Sequence, residues 1–292
     1  MNRLYRVFAS FVIISLAAAA PPASLIQFSA LKKRAHPEPT TTVRYGDNPL
    51  QVVDVWLPKG RGPFPTVLMI HGGCWQTDVA DRHLMDWVSN DLRRRRIAVW
   101  NIDYRGVDRA GGGYPGTFMD VAAAADALSL HARELHLDTR RIVAVGHSAG
   151  GHLALWLAGR PRLLRSSPLY RDHPIPLAAV VSLGGLPDLE RETQVENGCG
   201  KTVSVTLSGG HFAETSVPRL APLHVRQYLV NGLMDPIIPT ELASDYQRRM
   251  QSAGDKVTID WVPDSGHFEL IVPESRAWAV ALRHIEQALH RH

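Results

Sequence analysis

Six apolar runs, each closing on a turn, recur along this chain: TVLMIHGG, IAVWNIDYR, IVAVGHS, LAAVVSLGG, VRQYLVNG and VTIDWVP. A half-exposed strand alternates apolar and polar residues, so short runs that are apolar nearly throughout indicate strands covered on both faces. Two more stretches, Val43 to Tyr45 and Val52 to Leu57, read as an opening pair of strands. Between the runs lie helical patterns at about 81–95, 117–136, 149–159, 239–253 and 273–290. Strands alternating with helices predict an α/β fold, a mostly parallel central sheet of about eight strands with helices on both faces. Reactive groups in such sheets gather at the carboxyl ends of the strands. Residues 186–222, rich in Gly, Pro, Ser and Thr, break the rhythm and predict an insertion or partial cap over that edge.

The N-terminus is of another kind. Arg3 and Arg6 precede VFASFVIISLAAAA, a basic region followed by an apolar one, as in an export signal. Ala17 and Ala19 suit a small-x-small cleavage site. The uncharged stretch continues to Leu31, so an uncleaved anchor is the alternative, although Pro21 and Pro22 interrupt a smooth spanning helix. Residues 1–35 are therefore assigned to targeting and linker, and 36–292 to the folded domain. The expected destination is periplasmic or secreted, with membrane attachment only through the N-terminal segment. The formal charge of +4 is modest. Its one dense cluster, Arg93 to Arg96, follows an amphipathic stretch and reads as a solvated helix end, where cations suit the dipole, so no nucleic-acid partner is expected. The two cysteines, Cys74 and Cys199, make neither a disulfide scaffold nor a zinc site. In an oxidising compartment they either pair or stay as two thiols, depending on whether the fold brings them together.

The strand ends carry the chemistry. After IVAV comes Gly146-His147-Ser148-Ala149-Gly150, a G-x-S-x-G sequence between a strand and a helix. A serine there sits on a strained corner with its hydroxyl thrust outward, and the N–H of Ala149 is placed to bind an oxyanion. The bland alternative is an ordinary serine N-cap. After TVLMI comes His71-Gly72-Gly73-Cys74-Trp75, whose bare backbone offers further oxyanion donors among Gly72, Gly73 and Cys74. His267, after VTIDWVP, is the candidate base, with His211 as rival. Asp235, after VRQYLVNG, is the candidate acid, with Asp264 as rival. Ser148, Asp235, His267 is the nucleophile–acid–histidine order of one known triad arrangement. Trp75, Tyr104 and Tyr114 are candidates for the substrate pocket, with core packing the equal alternative for Tyr104. HARELH places its histidines five residues apart, on different helix faces, and GCGKT lacks the first glycine of a phosphate loop, where Val195 stands. No metal or cofactor is expected.

HGGCW, GHSAGG, Asp235 and His267 together resemble the α/β-hydrolase superfamily. More narrowly, the chain is similar to bacterial esterase/lipase proteins of the kynurenine formamidase-like and feruloyl-esterase-like branch, which carry H-G-G-x-W. GGGYPGTFMD and GHSAGGHLALWLA extend the likeness, which covers about residues 40–292. It implies an α/β-hydrolase fold and a cofactor-free serine hydrolase cleaving a small carboxylic ester through an acyl-enzyme. An amidase, formamidase or peptidase on the same fold would use the same triad. A binding protein of this fold usually lacks a triad member. Cys74 stands where hormone-sensitive-lipase-like enzymes have a third glycine.

Overall fold

The computed structural model describes residues 24–290. Among them the eight strands are β1 Thr41–Arg44, β2 Val52–Trp56, β3 Phe64–Ile70, β4 Ala98–Ile102, β5 Leu137–His147, β6 Ala179–Leu183, β7 Arg226–Gly232 and β8 Val257–Val262. They form one sheet in the order β1-β2-β4-β3-β5-β6-β7-β8. The first two pairings are antiparallel and the rest parallel. The helices are α1 Phe28–Leu31, α2 Asp86–Arg94, α3 Gly116–His131, α4 Ala149–Gly159, α5 Leu189–Glu192, α6 Lys201–Ser208, α7 Phe212–Thr215, α8 Thr240–Ser252 and α9 Arg276–His290.

The uniform apolar runs are explained by what covers them. Successive side chains of a strand point to opposite faces. Leu68 and Ile70 of β3 accordingly join one core with α3, α4 and α8, while Val67 and Met69 join a second core with α2 and α9. Every residue of α4 is buried, as expected for a helix apolar all round. The chain runs from β3 outward to β4, then returns to place β5 on the other side of β3. The reversal opens a crevice between the carboxyl ends of β3 and β5, where ligands of such sheets bind.

Three details differ from the sequence reading. The helix expected at 81–95 starts as a 3-10 turn, Arg82–Met85, because the Asp81 carboxylate accepts the His83 N–H at 2.9 Å. The insertion at 186–222 is not irregular but built of α5, α6, α7 and a 3-10 turn at Val217–Leu220. Buried Asp188 holds it, accepting from Ser216 Oγ at 2.9 Å and from the Arg249 guanidinium of α8. Residues 24–35, assigned on the sequence to the targeting segment and linker, pack on the domain. Leu31 is buried in the α2–α9 core, and Trp87 Nε1 donates to the Ala35 carbonyl at 3.0 Å. The export signature at Arg3, Arg6 and the apolar run after them lies outside the described residues.

Candidate active site

β5 ends at His147 and α4 begins at Ala149, leaving Ser148 alone on the corner. Its backbone sits at φ 53°, ψ −121°, which a residue with a side chain adopts only where its surroundings impose it. Ser148 N–H donates to the Leu183 carbonyl of β6 at 2.8 Å, tying the corner to the neighbouring strand. A Cβ on Gly146 would lie 2.0 Å from the Gly150 carbonyl oxygen, and one on Gly150 would lie 2.2 Å from that of Ile70. Strand, corner and helix approach this closely only because both residues are glycine.

Asp235 and His267 follow the ends of β7 and β8 and meet there. His267 Nδ1 lies 2.6 Å from Asp235 Oδ2, with both side chains nearly buried. The other carboxylate oxygen accepts the N–H groups of Ile237 and Ile238 at 2.8 and 2.9 Å, so Asp235 is held from its own loop. His267 and Ser148 line one cavity of about 460 Å³, together with Gly73 and Cys74. His147 lines the same cavity. Its ring lies 4.5 Å from that of His267, and its Nε2–H donates to the His267 carbonyl at 3.1 Å. Burial, and then the His267 ring beside it, push His147 well below the ordinary imidazole range, so it stays neutral.

The loop after β3 is braced from below. The two ring nitrogens of His71 face the Gly72 carbonyl at 2.7 Å and Asp103 Oδ1 at 3.2 Å. Arg82 bridges Asp103 and Asp54 at 2.9 and 2.6 Å. Burial raises the Asp103 pKa, but His71 and Arg82 outweigh it and hold the carboxyl below its usual range. Gly73 at φ 101°, Cys74 at 53° and Trp75 at 55° then turn the backbone three times in the left-handed half of conformational space. Cys74 is bonded to Cys199 of the insertion, with 5.3 Å between their Cα atoms. Among the described residues, the N–H groups of Gly73, Cys74 and Ala149 donate to no protein acceptor.

Three expected pocket residues do not line the cavity. Trp75 is fully buried with its ring edge against His152. Tyr104 is buried behind the loop, stacked on His71 at 4.3 Å and donating its hydroxyl to the His71 carbonyl at 3.1 Å. Tyr114 stacks on His211 at 3.9 Å and donates to Glu214 at 2.8 Å. That contact also takes up His211, the rival base. Asp264, the rival acid, is an exposed turn residue at φ 55°. Gly72 lies behind Ser148, where a Cβ would come within 3.0 Å of the serine Cβ. The cavity wall includes residues the sequence reading passed over, Leu25 to Phe28 and Val79, Leu84 and Ile237. In sequence Leu25 to Phe28 read as the tail of the apolar N-terminal run, and no local pattern separates them from it. One group, Asp54, His83 and Asp86, brings metal-ligand atoms within 4.8 Å of one another, but the Arg82 guanidinium already neutralises Asp54.

Esterase LipC of Mycobacterium tuberculosis is 27% identical over 249 residues, covering 78% of this chain and 60% of that protein. A probable isoprenylcysteine alpha-carbonyl methylesterase of Arabidopsis thaliana, ICMEL1, is 32% identical over 114 residues, 39% of this chain and 23% of that one. The chain spans less than two thirds of the length of these curated relatives. Among solved structures, esterase B of Lactobacillus Rhamnosis superposes with a TM-score of 0.74 at 20% identity, covering 89% of this chain and 90% of that one. The fold is that of the α/β-hydrolases, as the sequence motifs led one to expect. The BD-FAE family model matches residues 53–243, from the second strand to the helix after Asp235, and the chain belongs to the BD-FAE family.

Proposed function

We propose that this chain is a serine-dependent carboxylic ester hydrolase. The observation that carries the reading is His267, hydrogen-bonded to Asp235 and sharing a cavity with Ser148 on its strained corner. His267 takes the proton of Ser148 as the hydroxyl oxygen attacks the ester carbonyl carbon. Asp235 holds the ring orientation and stabilises the imidazolium. Neutral His147 next to that ring adds no competing positive charge. The carbonyl oxygen, now an oxyanion, is received by the N–H of Ala149 at the start of α4 and by that of Gly73 or Cys74. His267 returns the proton to the departing alkoxide, and water then releases the acyl group by the same steps.

Every group in that sequence belongs to the chain itself, so turnover should survive dialysis against a chelator. A fluorophosphonate should label Ser148, and Ser148→Ala should abolish both labelling and hydrolysis of 4-nitrophenyl esters. Labelling elsewhere, or undiminished turnover in the variant, rejects the assignment. An export leader fits a chain whose two cysteines are bonded, since such bonds persist in oxidising compartments. Recovery of the protein from the periplasmic or extracellular fraction tests that part.

A further inference from the structure

The strap of chain ahead of β1 forms a wall of the cavity that holds Ser148 and His267. Leu25, Ile26 and Phe28 supply that wall, and Val79, Leu84 and Ile237 supply others. Among the described residues no Lys, Arg, Asp or Glu lines the cavity. The strap is fixed to the loop that carries the base. Glu269 accepts the Ile26 N–H with one carboxylate oxygen and the Gly266 N–H with the other, the latter at 2.9 Å. Phe28 stacks on Phe268 with ring centroids 5.4 Å apart and an angle of 16° between planes. A Cβ on Gly266 would lie 3.2 Å from Leu25 Cδ1, so strap and loop are in contact at the residue beside His267. The wall therefore stands in a fixed relation to the reacting atoms.

We propose that Leu25 to Phe28 are specificity-determining, and that they select esters carrying an uncharged apolar chain on the acyl or the alcohol side. The proposal rests on the ester-hydrolase reading above. It does not follow from the family match, which begins at residue 53. Each methylene buried against such a wall favours the longer ester about fourfold, the equivalent of about 0.8 kcal/mol.

The test compares kcat/KM for 4-nitrophenyl acetate and octanoate, and for methyl and hexyl butyrate, in wild type, Leu25→Ser, Phe28→Ser and the conservative Phe28→Leu. The serine variants should lower the octanoate-to-acetate ratio or the hexyl-to-methyl ratio at least tenfold, and the affected series identifies which side of the ester meets the strap. Phe28→Leu should stay within about threefold of wild type. If a serine variant does not fold, Leu25→Trp, which fills the cavity from the strap, should lower the same ratio. Ratios within twofold of wild type in Leu25→Ser and Phe28→Ser, or flat series in wild type, overturn the proposal while leaving the hydrolase reading intact. A wild-type protein that hydrolyses no ester and whose Ser148 is not labelled rejects both.

Discussion

Asp235 receives two backbone N–H groups on one oxygen and His267 on the other, so its carboxylate is committed on both sides. Asp235→Asn should cut turnover by up to about four orders of magnitude, as loss of the orienting carboxylate does elsewhere. Asp264→Asn, on an exposed turn, should cost far less; equal losses in kcat would return Asp264 to the site. His152 allows a second prediction. It is fully buried beside the elbow, with Nε2–H donating to the Thr215 carbonyl at 2.8 Å and Nδ1 without a partner among the described residues. Burial lowers its pKa from 6.5 to about 4. The unfolded chain therefore takes up this proton first as pH falls. The stability the neutral ring preserves is complete above about pH 6.5 and drains away towards pH 4, by about 3 kcal/mol. His152→Gln keeps a donor for Thr215 and removes the titration. Urea unfolding at pH 7 and pH 4.5 should show a smaller drop in the variant than in wild type; equal drops would mean that His152 does not titrate in this way.

Elements were more legible than the joints between them. The apolar runs marked the strands because both faces of the sheet are covered, and the glycines at 146 and 150 marked the corner because the approach there excludes a Cβ. The form of the insertion was hidden, since α5 and α7 have four residues each and take their stability from contacts such as Asp188 with Arg249. Trp75 was misplaced, and Tyr104 left open between pocket and core, for a related reason. A large aromatic ring beside a reactive loop packs as well underneath it as in front of it, and these two brace the loop from below. The pairing of Cys74 with Cys199 was open in the sequence and is settled by the fold. It closes a loop of 125 residues, so replacing both cysteines by serine should lower stability by up to about 5 kcal/mol on the chain-entropy account. Denaturant midpoints of wild type with and without reductant, beside the double variant, check this; identical midpoints would show that the bridge adds nothing to stability.

At the scale of the molecule, the domain begins earlier than its sequence announces. Leu31 is 1% exposed in the α2–α9 core, and Arg34 reaches Glu274 at 3.1 Å. A chain starting at residue 36 should therefore melt below one starting at residue 24, with a loss of about 2 kcal/mol or more from the buried leucine alone. Matching melting curves would show that the segment is an ornament. Sequence patterning failed here because an apolar strap that packs on a domain and an apolar leader that does not are written in the same residues. The placement also has a practical side. A tag, fluorophore or resin joined directly to residue 24 starts one residue from Leu25, which lines the cavity. A tag placed after α9 leaves from a helix none of whose residues touches that cavity. Kinetic constants from preparations tagged directly at residue 24 and at the C-terminus should be measured separately, because the first carries its tag beside the cavity wall.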